Sequence, residues 1–193
     1  PSGILGNVIG QMKIAPNGKK LAMANGTTLP KLTLYDFNTQ TGLVSNSLAL
    51  TVNSSTSSSA YGCEFSADAS KLYCSDYGYA QMNSGIYEWN LCAGSNSAVV
   101  NSVQSFTTAA FLRFFGMQLG SDEKIYIANN SYSLDVISQP NLAMPLNGIS
   151  LNNLNLGGRK AMWGLPNRII AKKPIPVNIT YSQSPAPMCN SYT

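Results

Sequence analysis

The chain has 193 residues and a net charge of +4, and only 10% of its residues are charged, against roughly a quarter in an average soluble protein. Hydrophobic residues make up 44% and fall in periodic runs, which excludes a disordered polar chain. The scattered Lys and Arg residues do not form the basic stripe of a nucleic-acid groove, and no apolar run approaches the roughly 20 residues of a transmembrane helix. We therefore expect no nucleic-acid partner and no membrane insertion.

The first 50 residues predict four short strands joined by turns. Alternating and β-branched residues place these strands over 9–15, 21–24, 31–37 and 43–50. Pro16-Asn17-Gly18 predicts a tight turn between the first two strands, because Pro fixes φ and Asn-Gly accepts positive φ. A connector rich in Ser and Thr, 51–59, leads into the next unit.

The same strand-turn-strand motif then recurs. Its anchor residues Ile14, Phe65 and Leu119 lie 51 and 54 residues apart. The second unit predicts strands over 61–66, 71–75, 85–91 and 99–106, and the third over 116–120, 124–129, 133–138 and, more weakly, 148–154. A fourth unit opens at Trp163, since Gly164 follows Gly116 by 48 residues.

A four-stranded unit that repeats at this interval is typical of a β-propeller blade. The sequence thus predicts an all-β protein, with about three complete blades and the start of a fourth in 1–170 and a Pro-rich linker or the start of another domain in 171–193. Because propellers usually need at least four blades, we expect the C-terminal half of a larger ring, or else closure by a second chain. The start at Pro1, without Met or a charged leader, predicts a mature, processed or truncated chain.

The four cysteines do not form C-x-x-C and there is no His, so the sequence predicts no metal and no cofactor. If Phe65 faces Leu72 across the second hairpin, Cys63 faces Cys74. Two alternatives follow: a cross-strand disulfide, or two small buried thiols that pack as hydrophobes. By subtraction, Cys92 and Cys189 would then form the remaining pair.

The eight carboxylates contain no marked catalytic pair. Asp68 and Asp122 fall in turns, where a short polar side chain caps the turn locally. Asp36 and Glu88 each lie between two aromatic residues of a predicted third strand, so strand alternation directs them away from the face of those neighbours. Without His, a Ser-His-Asp or Cys-His arrangement is impossible within this sequence, and we expect no enzymatic activity.

The longer predicted loops all emerge at one end of the propeller. They join the second and third strands of each blade or connect one blade to the next, and they are rich in Tyr, Ser, Asn and Thr. Tyr offers rigid amphipathic contact area and Ser and Asn offer adaptable hydrogen bonds. We predict a glycan- or protein-binding face centred on Tyr77, Tyr79 and Tyr132, the alternative being ordinary solvated loops. Trp89 and Trp163 are expected to pack in the core or between blades.

Four segments together resemble a known family: the first hairpin, 14–21; Leu34-Tyr35-Asp36-Phe37 with the following 41–46; Tyr61-Gly62-Cys63-Glu64-Phe65-Ser66; and Gly164-Leu165-Pro166-Asn167. They are similar to the propeller region of secreted Bacteroidetes proteins described as gliding-motility-associated or type IX-secreted, within the wider YVTN/lactonase-like propellers. The resemblance covers 8–170.

The resemblance implies a secreted or cell-surface location and a role in adhesion, recognition or scaffolding. It also implies protein or glycan partners at the surface and contact with the secretion machinery during export. A lactonase-like enzyme, with its active residues in blades absent from this chain, is the alternative that the wider family implies. The quoted motifs carry no catalytic residues, and the sequence shows no C-terminal sorting domain.

Overall fold

The structure, a computed structural model, describes residues 9–26, 30–51, 58–78, 84–108 and 112–166. These residues contain twelve strands and one short helix, α1 (Asn96–Asn101). The strands are β1 (Met12–Ile14), β2 (Lys20–Ala24), β3 (Leu32–Phe37), β4 (Val44–Leu50), β5 (Ser58–Phe65), β6 (Lys71–Gly78), β7 (Gly85–Asn90), β8 (Gln104–Thr107), β9 (Met117–Leu119), β10 (Ile125–Ala128), β11 (Ser133–Ile137) and β12 (Ile149–Asn155).

The strands form three four-stranded antiparallel sheets, β1–β4, β5–β8 and β9–β12, with the strands of each sheet in chain order. This is the strand order of a propeller blade, in which a meander runs outward from an inner strand. The three predicted blades are therefore confirmed. The leading face of a blade is defined as the face toward the blade before it, and the trailing face as the face toward the blade after it.

The first hairpin of each blade has the predicted register. Ile14 pairs with Leu21, Phe65 with Leu72 and Leu119 with Ile125. The turns are stabilised locally, since Asn17 Oδ1 accepts from the Lys19 N–H at 3.0 Å and Asp68 Oδ1 from the Ser70 N–H at 2.9 Å. Both residues thus have the turn role that the sequence indicated.

The blades stack face to face around two apolar cores. Between the first and second blades, Leu32, Leu34 and Leu50 pack against Phe65, Leu72 and Trp89. Between the second and third, Tyr73 and Ile86 pack against side chains of β9, β10 and β11. Trp89 is fully buried in the first of these cores, as its sequence context predicted.

A backbone hydrogen bond links the inner strands of successive blades at one repeated position. The N–H of Gln11, three residues before the anchor Ile14, donates to the Tyr61 carbonyl of the next blade at 2.8 Å. The N–H of Gly116, three residues before Leu119, donates to the Trp163 carbonyl at 2.9 Å. Trp163 therefore lies where a fourth inner strand begins, in agreement with the predicted start of a fourth blade.

Between the second and third blades the same link passes through a hydroxyl. The Gly62 N–H donates to Ser75 Oγ at 2.8 Å, and Ser75 Oγ donates to the Phe115 carbonyl at 2.5 Å. A Cβ at position 62 would overlap that carbonyl, so the close approach of the two strands requires Gly62.

One strand prediction is wrong in part. The predicted strand 99–106 begins as α1, and β8 starts only at Gln104. Ser95 has extended backbone and accepts from the Ala98 N–H at 3.1 Å, which is the geometry of a helix N-cap. Val99 is buried against the first core, so capping and packing override the β propensity of the two valines.

The predicted opposition of Cys63 and Cys74 is confirmed, but the disulfide is not present. Both residues are free thiols and both are fully buried. Cys63 Sγ donates to the Gln11 carbonyl at 3.3 Å, and burial raises the pKa of the Cys63 thiol to about 12. The pair thus matches the second alternative, two buried thiols that pack as hydrophobes. Cys92 is disulfide-bonded, whereas Cys189 lies outside the described residues.

Candidate binding face

The loops between second and third strands, together with the connectors between blades, lie at one end of the three sheets. Tyr132 lies in the β10–β11 loop of this end and is 60% exposed. Tyr77 belongs to β6, where its backbone pairs with Ser59, but its side chain lies outside the described residues, as does all of Tyr79. Of the three predicted binding residues, the structure therefore places the side chain of Tyr132 alone, and their proximity stays a prediction.

A repeated polar position supports these loops. Asn25 and Asn129 each follow the second strand of their blade, and each donates to a side chain of the third strand: to Thr33 Oγ1 at 2.9 Å and to Asp135 Oδ1 at 3.0 Å. The Asn25 amide also donates to the Pro30 carbonyl at 2.6 Å. The loop bases are thus fixed by side-chain hydrogen bonds on rigid strands.

The base of the Tyr132 loop has the most extensive network. Asp135 Oδ1 also accepts from the Asn152 N–H at 2.7 Å, and Asn152 Oδ1 accepts from Ser133 Oγ at 2.7 Å. Asn152 has a φ of 50°, a left-handed conformation that Asn tolerates better than most residues. Asp135 is 2% exposed, and burial raises the pKa of its carboxyl. These contacts hold the exposed Tyr132 on a pre-formed loop.

A second polar cluster joins the inner strands of all three blades. Lys13 Nζ lies 3.0 Å from Glu64 Oε2 and donates to Gln118 Oε1 at 2.7 Å. Glu64 Oε2 also accepts from the Leu119 N–H at 2.9 Å. The side chains of Lys13 and Glu64 are only 13% and 5% exposed, so this is a largely buried ion pair that ties blade to blade.

The inner-strand cluster was missed in the sequence, although a signal was present. Lys13, Glu64 and Gln118 each precede an anchor residue of the repeat, and a polar residue at that position occurs in all three copies. Aligning the hairpins would have placed the three side chains on neighbouring inner strands. Lys13 and Glu64 neutralise each other's charge and Gln118 accepts a hydrogen bond from Lys13, which indicates a structural tie rather than a reactive site.

Aromatic side chains also form a row across the inner strands. Tyr61 meets Phe115 edge-on with ring centroids 5.7 Å apart, and Phe115 stacks on Trp163 at 5.7 Å with 7° between the ring planes. These residues lie four positions before the repeat anchor in their respective blades. The prediction that Trp163 packs between blades is thereby confirmed, although the side chain remains 53% exposed.

Glu88 is held by the third blade. Its Oε2 accepts from the Tyr73 hydroxyl at 3.2 Å, the Met144 N–H at 3.0 Å and the Asn147 amide at 3.3 Å. The residue is 2% exposed, and burial raises the pKa of its carboxyl. Since Met144 and Asn147 belong to the β11–β12 loop, Glu88 fastens that loop to the second blade.

Asp36 has a different environment. It accepts from Lys20 Nζ at 2.5 Å and from the Asn46 amide at 2.7 Å. Although burial acts to raise its pKa, these hydrogen bonds lower it overall. Both third-strand carboxylates therefore have structural partners.

Among the described residues, no three Asp, Glu, Cys or His side chains cluster as a metal site would require, and no helix is long and apolar enough to cross a membrane.

The chain resembles several solved structures. No protein-family model and no curated protein matches the chain. The extracellular domain of BT4673 from B. thetaiotaomicron, a protein described as a one-component system, matches with a TM-score of 0.47 and 13% identity, over 84% of this chain and 19% of that one. The WD40 repeats of RRP9 match with a TM-score of 0.34 and 13% identity, over 72% of this chain and 51% of that one. The chain thus spans about a fifth of the first protein and half of the second.

Proposed function

We propose that this chain is a non-catalytic propeller module of a secreted or cell-surface protein, which recognises a protein or glycan through the loop face around Tyr132. The observation that carries the proposal is the 60% exposed Tyr132, held on a loop whose base is fixed by Asn129, Asp135 and Asn152. A rigid aromatic side chain on a pre-formed loop binds with little loss of conformational entropy.

Composition and charge support the extracellular part of the proposal. A surface poor in charge and rich in Ser, Thr, Asn and Tyr remains soluble through hydroxyl and amide groups. The segments quoted above resemble the propeller region of secreted Bacteroidetes surface proteins, and we extend the proposal to that family and to export through its type IX machinery. Adhesion or scaffolding at the cell surface is the corresponding role.

The carboxylates support the non-catalytic part. Glu64 and Glu88 are bound by hydrogen-bond donors from neighbouring blades, and Asp135 by donors of its own blade. A general acid or base must reach a substrate, and these groups are committed to holding strands and loops together.

Binding to a glycan array and to surface proteins from the producing cells tests the proposal. Tyr132→Ala, alone and combined with Tyr77→Ala and Tyr79→Ala, is expected to weaken binding by about fivefold or more, as for an aromatic hot spot. Leu146→Ala is the matched control, since Leu146 is 72% exposed in the β11–β12 loop at the opposite end of the third blade. Unchanged binding by the triple variant, or equal loss in the control, would refute the proposed face.

A further inference from the structure

The leading face of the first blade is exposed where the equivalent faces of the other two blades are buried. Ile14 is 50% exposed, whereas Phe65 and Leu119, at the same position of the repeat, are 0% and 4% exposed. Two residues earlier, Met12 is 62% exposed and Met117 is 0% exposed. The repeat thus supplies its own comparison, because the same inner-strand positions are covered in every blade that has a predecessor.

The apolar positions continue across the sheet as one face, in which Leu21 is buried (7% exposed) and Tyr35 is partly exposed. Ile14 pairs with Leu21, which pairs in turn with Tyr35, so the three side chains share a face. Phe37 extends this row and pairs with Val44, which is 44% exposed. In the second blade the residue equivalent to Tyr35 is Trp89, which is fully buried against the first blade.

The backbone of the first blade has a carbonyl at the position where other inner strands accept a hydrogen bond from the blade before. In the second and fourth inner strands, the carbonyl four residues before the anchor position accepts a hydrogen bond from the blade before, as Tyr61 does from Gln11 and Trp163 from Gly116. Gly10 occupies that position in the first blade. Its carbonyl is the acceptor that the repeated pattern assigns to a preceding inner strand.

We propose that the leading face of the first blade, formed by Met12, Ile14, Leu21, Tyr35 and Val44, docks a further four-stranded blade of the same ring. The established interfaces specify that partner. Its inner strand donates an N–H to the Gly10 carbonyl, and its trailing face is lined with aliphatic residues, as the trailing face of the first blade is by Leu32, Leu34 and Leu50.

A second copy of this chain does not fit that description. Its third blade would have to present a free trailing face, but Ala128, Leu134 and Val136 on that face are 0%, 6% and 3% exposed. Ala161 belongs to the same buried cluster, and Leu165 packs against it, both from the segment that opens the fourth inner strand. The partner blade therefore has to come from outside residues 9–166.

Methionine oxidation by dilute hydrogen peroxide tests the proposal, because Met12 belongs to the docking surface on the inner strand β1 and is 62% exposed. The protein isolated from its natural source is compared with residues 1–193 produced alone, and each methionine is quantified by peptide mass spectrometry. Met12 is expected to oxidise roughly tenfold more slowly in the natural form, since a covered side chain reacts only through local opening. Met117, buried in the structure, is the internal control and should react slowly in both forms.

Two outcomes would overturn the proposal. Equal oxidation of Met12 in the two forms would show that nothing covers this face. A dimer of residues 1–193, detected by light scattering and with Met12 protected, would identify a second copy as the partner. Rapid oxidation in monomeric 1–193 together with protection in the natural form supports a further blade.

Discussion

Removal of the Glu64 carboxylate should weaken the tie between all three blades. In Glu64→Ala, the Lys13 ammonium loses its ion-pair partner at 3.0 Å and the Leu119 N–H loses its acceptor at 2.9 Å. Breaking a buried ion pair costs about 3–5 kcal/mol. Because Lys13 is 13% exposed and keeps Gln118 as an acceptor, the lower end of that range applies, about 3 kcal/mol. For a chain of this size the melting temperature should fall by about 6–12 °C.

Urea unfolding, followed by the fluorescence of the fully buried Trp89, measures the loss. Lys124→Ala is the matched control, because the Lys124–Asp122 pair has a similar length, 3.2 Å, but side chains that are 43% and 42% exposed. An exposed pair contributes about 0–1 kcal/mol. If Glu64→Ala costs no more than Lys124→Ala, the inner-strand cluster does not stabilise the stack of blades.

A double-mutant cycle separates the ion pair from the backbone contact. Lys13→Met and Glu64→Gln, alone and together, are expected to give a coupling energy of about 1–3 kcal/mol. A coupling near zero would show that Glu64 stabilises the fold through the Leu119 and Phe65 N–H groups and not through Lys13.

Three further results are expected. Burial raises the pKa of Glu88, so the folded state binds this proton more tightly than the unfolded chain, and the free energy of unfolding should fall as pH rises above about 4.5. Glu88→Gln should reduce that slope between pH 4 and 8, and an unchanged slope would contradict the buried carboxylate. Gly62→Ala should prevent soluble folding or lower the urea midpoint strongly, because the added Cβ overlaps the Phe115 carbonyl. At Gly164 an added Cβ has open space, so Gly164→Ala is the control and should leave the midpoint nearly unchanged. Similar effects of the two substitutions would argue against close strand approach at Gly62. Ser75→Ala removes the hydroxyl that bridges the Gly62 N–H and the Phe115 carbonyl, and should lower the free energy of unfolding by about 1–3 kcal/mol. A change under about 0.5 kcal/mol would exclude a stabilising role for the hydroxyl.

The blade repeat was predictable because its information is local. Turn residues such as Asn17-Gly18 and Asp68 specify tight hairpins, and the anchors Ile14, Phe65 and Leu119 give the interval between them. The error at 99–106 arose because local signals were ambiguous there and a contact with another blade decided the outcome. Ser95 is a helix N-cap followed by residues that also suit a strand, and burial of Val99 against the first blade decided in favour of α1.

The opposition of Cys63 and Cys74 followed from hairpin register, which is local, but their state as free thiols did not. Likewise, the hydrogen-bond network at the base of the Tyr132 loop depends on Asn152, which lies in the next strand. Sequence reasoning gave Asp36 and Glu88 the same strand position, yet burial raises the pKa of Glu88 while hydrogen bonds from Lys20 and Asn46 lower that of Asp36.

By itself, the sequence determined most of the strands, the hairpin turns and the number of complete blades, since strand periodicity and turn chemistry act over a few residues. Only the tertiary structure decided which residues meet between blades. Lys13, Glu64 and Gln118 lie 51 and 54 residues apart and touch because three inner strands converge. The contrast between exposed Ile14 and buried Phe65 also arises there, because a preceding blade covers Phe65 and none of the described residues forms a blade before Ile14.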